Sequence, residues 1–372
     1  MASLTKRGNR VRRTLLAVIL VGATVAVGSG ATAVLSTSEG AAAAESTSPK
    51  MMAYLSYTAA TQGKASFRQH AAYLDQISPS WWRPASAADG SLSLQQPGVT
   101  VEDTAFVTEA KDSGSEVWGV VANYHGKGEW RWDIVTKILN DPTLRATHVR
   151  ALVDLAVGKG YVGIDIDYEN GTRAEDRGVF SLFVKELAAS LHSAGKQLSV
   201  TVQPKLSEPG NQPRHKIQDW QAIGAVADEV HIMLYDYWPD NGQASQSPLS
   251  WWRAQATFAV TQIPARKIML GGATYGYHWA ADKEPVEDLE WQSIEDLRVE
   301  TDSTRQLDTD TSSARYSFQK NSITHHVWYE DAGAMVKRAR VVRNYGLLGM
   351  FFWRLGGEDP RMWSRVRSEL DR

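Results

Sequence analysis

From Met51 to the C-terminus, short apolar runs alternate with stretches of helical spacing about eight times. That alternation restricts the fold more than any other feature. A strand that returns through a helix pairs parallel with its neighbour, and eight such units close most simply into a (β/α)8 barrel. The fold class expected is therefore α/β, a TIM barrel over residues 51–372. Strands are predicted at Met51–Tyr57, Glu116–Asn123, Val162–Tyr168, Gln197–Gln203, Glu229–Leu234, Lys267–Ala273 and Gly349–Trp353. A further short element follows Ser78-Pro79-Ser80-Trp81-Trp82 and precedes a turn at Asp89-Gly90. Helices are predicted at Phe67–Ile77, Val101–Ser113, Asn140–Lys159, Phe180–Ser193, Ile217–Val226, Leu249–Thr261 and Ala332–Tyr345. Residues from about 280 to 325 are too many for a loop. With strand-like pieces at Arg315–Ser317 and Val327–Tyr329, they predict a small inserted α+β subdomain between strand seven and the last helix, forming one wall of a cleft.

Within this pattern Gly163-Ile164-Asp165-Ile166-Asp167-Tyr168-Glu169 stands apart. Period two places Asp165, Asp167 and Glu169 on one face of a strand and Ile164, Ile166 and Tyr168 on the other. Same-face neighbours on a strand lie about 6–7 Å apart. Three carboxyls at that spacing cannot all ionise cheaply, so at least one is expected to keep its proton near neutral pH, as general-acid work requires. A solvated strand edge or a calcium loop is the alternative. A calcium loop calls for polar, glycine-containing spacers, and Ile, Ile and Tyr favour burial instead. In a barrel of this kind active sites lie at the carboxyl ends of the strands. Asn123, Gln203, Tyr235, Asp236, Tyr275 and Trp353 all fall at or near predicted strand ends, and Tyr54 lies in the first strand.

Composition excludes several classes of function. The formal net charge of −2 offers no field suited to nucleic acid. With no cysteine, thiolate chemistry, disulfides and cysteine-based metal sites are all excluded. Fourteen tryptophans and thirteen tyrosines suit a large core and also suit flat sugar-binding surfaces. At the N-terminus, Lys6, Arg7, Arg10, Arg12 and Arg13 precede an apolar run from Leu15 to Val27 and then four alanines, Ala41 to Ala44. Residues 1–44 read as an export signal and 45–50 as a linker. An uncleaved membrane anchor is the competing reading, since 14–38 is long enough to span a bilayer. The expected location is thus extracellular, with membrane or cell-wall association if the segment stays.

These motifs, in this order, resemble family 18 of the glycoside hydrolases, the chitinase-like group. The acidic run is similar to that family's Asp-Gly-x-Asp-x-Asp-x-Glu signature, with Val162 in place of its first Asp. Met233-Leu234-Tyr235-Asp236 resembles the Met-x-Tyr-Asp strand, Tyr275-Gly276 the seventh strand, His326 to Asp331 the entry to the last helix, and Trp353 the tryptophan of strand eight. Val120-Val121-Ala122-Asn123-Tyr124 departs from the Ser-x-Gly-Gly of typical chitinases and is similar to the bacterial branch of spore-cortex and cell-wall N-acetylglucosaminidases. The resemblance implies a retaining glycosidase acting on β-1,4-linked N-acetylglucosamine glycans through the substrate's own acetamido group. It implies Glu169 as acid and base, Asp167 and Asp165 as proton-sharing partners, and Tyr235 as donor to the acetamido oxygen. Met233, Asp236, Trp353, Asn123, Gln203, Tyr275 and Tyr54 would contact substrate. No metal and no cofactor are implied, and the partner is a polysaccharide taken by a monomer. Chitin and peptidoglycan remain alternatives, as does a non-catalytic lectin on the same barrel.

Overall fold

The computed structural model describes residues 48–87, 91–96, 104–237, 244–280 and 285–372. The export-signal expectation, the turn at Asp89-Gly90 and the first residues of the helix expected from Val101 lie outside these. Eight strands form a closed, all-parallel barrel in chain order. They are β1 (Lys50–Ser56), β2 (Gln76–Ser80), β3 (Glu116–Ala122), β4 (Gly163–Asp167), β5 (Gln197–Val202), β6 (Glu229–Met233), β7 (Ile268–Ala273) and β8 (Gly349–Trp353). Closure falls between β8 and β1, where Lys50 to Ala53 run beside Gly349 to Phe352.

Local chemistry sets the element that matters most. Asp141 caps the helix Pro142–Lys159 by accepting from the Thr143 and Leu144 amides, and Pro142 occupies its first turn. Gly160, at φ +64, ends that helix in the left-handed region and turns the chain into β4. The apolar side of β4 then packs outward under the helices. Ile164, Ile166 and Tyr168 are no more than 1 % exposed, and the Tyr168 hydroxyl meets His148 Nε2 at 2.6 Å. The acidic side faces the barrel interior, beside Tyr54, Thr201 and His231. Gly271 on β7 shares this interior, because a Cβ there would lie 2.2 Å from the Phe351 ring.

Three expectations need correction. The first helix is Ala60–His70, not Phe67–Ile77, and β2 takes Gln76 to Ser80. The Ala-Ala-Tyr-Leu stretch satisfies helical spacing, but barrel closure needs a strand beside β1, and Met52 to Ser56 pair with Gln76 to Ser80. A separate helix, Trp132–Asn140, precedes the one expected from Asn140, with Asp141 breaking the two apart. The insertion starts earlier, at Tyr275: a five-stranded antiparallel sheet (Tyr275–Ala280, Pro285–Glu290, Gln306–Leu307, Ala314–Lys320, Ile323–Tyr329) carries the helix Trp291–Glu300 over its own small core.

Candidate active site

At the carboxyl end of the barrel a cleft of about 980 Å³ opens over β4, β5, β6 and β8. Asp167, Glu169, Gln203, Met233, Tyr235, Asp236, Trp353 and Tyr54 all line it. Asn170 beyond β4 and Asp236 beyond β6 have φ of 56° and 54°, left-handed turns that these short polar side chains tolerate.

Glu169 is half-buried at the cleft floor, where Gln203 Nε2 donates to its Oε2 at 2.6 Å. Burial pushes its carboxyl up to about 7, against the opposing pulls of the Gln203 hydrogen bond and Arg214, while Asp236 adds to the rise. Asp167 is raised well above the ordinary carboxylate range, first by burial and then by the negative charges of Glu169 and Asp165. Its Oδ1 is buried and has no hydrogen-bond partner in the protein. Asp165 lies deeper, fully buried, accepting from Tyr54 Oη at 2.6 Å and from Thr201 Oγ1 at 3.2 Å. So the deep acid is held by hydroxyls from β1 and β5, and the middle acid keeps one buried oxygen without a protein partner.

The structure thus brings together Asp165, Asp167, Glu169, Tyr235, Met233, Gln203, Tyr54 and Trp353. Two expected substrate contacts are placed differently. Asn123 is fully buried and does not line the cleft. Its amide donates to the Glu169 carbonyl at 3.0 Å and accepts from the Glu169 N–H at 2.8 Å, so both ends are spent on the main chain of the acid. Tyr275 sits on the first strand of the insertion and donates to Asp236 Oδ1 at 2.6 Å, as Tyr277 does at 2.8 Å. It orients Asp236 and is not part of the cleft lining.

Sequence reasoning missed the aromatic walls. Tyr57, Trp82, Tyr124 and Trp130 flank one side, with Tyr124 and Trp130 rings 4.9 Å apart, and Tyr237 and Trp251 flank the other at 5.0 Å. They come from several separate segments of the chain, Trp251 from the start of the helix Leu249–Gln262, so no spacing rule groups them. Thr201 and His231 were also missed, although polar residues at alternate positions of two otherwise buried strands were a readable signal.

Protonating a glycosidic oxygen needs a carboxyl that still carries hydrogen near neutral pH, and Glu169 is such a group. With flat rings to lay sugars on, this barrel belongs among the glycoside hydrolases. The chain is a member of glycosyl hydrolases family 18, whose profile matches residues 128–358. A chitinase from Chromobacterium violaceum superposes with a TM-score of 0.78 at 27% identity, over 87% of this chain and 99% of that one. A cortical fragment-lytic enzyme of Bacillus subtilis is 28% identical over 242 residues, 63% of this chain and 56% of the relative. The glycosylase YvbX of the same organism is 25% identical over 288 residues, 75% of this chain and 83% of its own length.

Proposed function

We propose that the protein is a secreted, retaining glycosidase that cleaves β-1,4-linked N-acetylglucosamine glycans by substrate-assisted catalysis. One observation carries this reading: Glu169, its carboxyl pushed up to about 7 by burial, stands in the cleft beside an Asp167 whose buried Oδ1 has no partner in the protein. In the first step Glu169 gives its proton to the glycosidic oxygen as the bond to the anomeric carbon breaks. The acetamido carbonyl oxygen closes on that carbon, and the Asp167 carboxyl accepts the acetamido N–H, holding the group in line while the Asp165–Asp167 pair, with one negative charge between them, balances the oxazolinium charge. Tyr235 donates to the acetamido oxygen, and Trp353 lies beneath the reacting sugar. In the second step water attacks the same carbon, Glu169 takes its proton, and the ring opens with configuration retained. Glu169→Gln should keep the fold and sugar binding while kcat falls at least about 10²-fold, the low end for lost general-acid catalysis. Near-full turnover of a chromogenic chito-oligomer by that variant would remove the mechanism.

A second reading, a peptidoglycan or spore-cortex N-acetylglucosaminidase, is favoured by Arg214. Lys205 and Arg354 also line the cleft but pair with Glu208 and Glu290, whereas Arg214 is exposed there with no ion-pair partner among the described residues. A guanidinium at that rim suits a glycan carrying a carboxylate, as muramic acid does. Arg214→Ala should lower kcat/KM on purified peptidoglycan about 10-fold more than on a chito-oligomer, a loss in the range of one charged hydrogen bond. Equal losses on both would leave the neutral polymer as substrate.

A further inference from the structure

The acid row does not end at Asp165. Below it, toward the opposite mouth of the barrel, polar side chains continue along the axis. Tyr54 Oη lies 3.0 Å from His231 Nδ1, and His231 Nε2 lies 3.1 Å from Glu229 Oε2. Glu229 Oε1 accepts from Gln76 Nε2 at 2.7 Å and lies 3.4 Å from Lys50 Nζ. Lys50 and Gln76 also reach Glu116, whose side chain is 41% exposed. His231 itself is completely buried.

Hydrogen bonding assigns the ring. Tyr54 spends its proton on the Asp165 carboxylate, so its oxygen faces Nδ1 as an acceptor. Burial raises the Glu229 carboxyl, but the His231 hydrogen bond and charge, with Lys50 and Gln76, outweigh this and hold it below the ordinary range. With Tyr54 Oη acting as acceptor, Nδ1 carries the hydrogen that meets it, and Nε2 lies between the Ser199 hydroxyl at 3.1 Å and Glu229 Oε2 at 3.1 Å. On the β3 side Asp165 pairs with Val120, an apolar residue whose side chain offers no hydrogen bond.

We propose that Glu229 and His231 are positioning residues for the reaction, setting through Tyr54 the charge on Asp165 and hence the proton that Asp165 and Asp167 share. The groups facing the ring are Tyr54 from β1, Asp165 from β4, Ser199 and Thr201 from β5, Glu229 from its own strand and the Phe351 ring from β8 at 5.3 Å. Asp165 and Glu229 are the acidic groups on this path, and His231 is the basic group between them. Lys50 stands one group further away. A hydrogen donated from Nδ1 to Tyr54 Oη strengthens the Tyr54–Asp165 hydrogen bond and favours the Asp165 carboxylate, which leaves the shared proton to Asp167. Removing that donor makes the pair take up its second proton at higher pH.

The proposal rests on the glycosidase reading, and its test has one arm that needs no turnover. In protein labelled with ¹³C at aspartate carboxyls, the Asp165–Asp167 signals, assigned by Asp165→Asn, should move to higher pH by at least half a unit in His231→Asn and in Glu229→Gln. Half a unit is about a threefold change in proton affinity. With a chito-oligomer, the acid limb of kcat/KM should move the same way while the basic limb stays. A wild-type protein with no turnover would overturn the glycosidase reading and leave the carboxyl titration to decide this one. Should either variant fail to fold, the other decides, and Lys50→Met at the solvent end gives a smaller shift of the same sign. Carboxyl signals and acid limb unchanged in every folded variant, even with a lower kcat, would reduce His231 to packing.

Discussion

Glu169 serves chemistry at the expense of stability. Its carboxyl is raised from the ordinary 4.5 to about 7 by burial, so the folded state favours the neutral acid. The stabilisation of the protonated form is complete below pH 4.5 and is lost as pH rises through about 7. Glu169→Gln should therefore raise stability at pH 8 by on the order of 1 kcal/mol, with the gain fading toward pH 4, as thermal melts across that range would show. The same raised value predicts a basic limb of kcat near pH 7, where the acid loses its proton. Asn123 acts one bond away from this group. Asn123→Ala frees the Glu169 main chain on both sides, and kcat should fall roughly 10-fold with KM little changed, the signature of lost orientation rather than lost binding. A KM rise at constant kcat would return Asn123 to the substrate contacts. Tyr235→Phe should cost less than Glu169→Gln, because it removes one donor and leaves the acid in place.

At the scale of elements, the insertion is joined to the barrel helices by a buried ion pair. Glu330, at the end of the insertion, meets Arg338 of the helix Ala332–Asn344 at 2.8 Å, and both side chains are fully buried. Ser313 donates to Glu330 at 2.6 Å, and Arg338 also bonds the Ser313 hydroxyl and the Ser247 carbonyl. Such a pair adds little net stability, but losing one partner strands the other. Arg338→Met should destabilise by about 3 kcal/mol, and pairing it with Glu330→Leu should recover a large part of the loss. Denaturant melts of the single and double variants measure this directly. A single variant as stable as the wild type would mean that the insertion is held by its apolar contacts alone.

Across the whole molecule, two mouths of one barrel have different chemistry. The carboxyl end gathers acids and aromatic faces into the cleft, and the amino end closes over Lys50, Glu116, Gln76 and Glu229. With the cleft open between two aromatic walls, product analysis on chito-oligomers and peptidoglycan side by side is the most direct assay of the polymer. Release of reducing ends from peptidoglycan alone would select the second reading.

Period-two acids, eight strand–helix alternations and the Met-x-Tyr-Asp run were enough to read the barrel, the strand that carries the acids and the face they share. Those features are local, since a strand's alternation is set by its own backbone geometry. What the tertiary structure decided is what lies across the barrel from each acid. The Asn123 clamp, the pairing of Tyr275 with Asp236 and the contact of Tyr54 with His231 join residues 39 to 177 positions apart on different strands and loops. Their proximity depends on the order and closure of the barrel, which brings distant strands face to face across one axis.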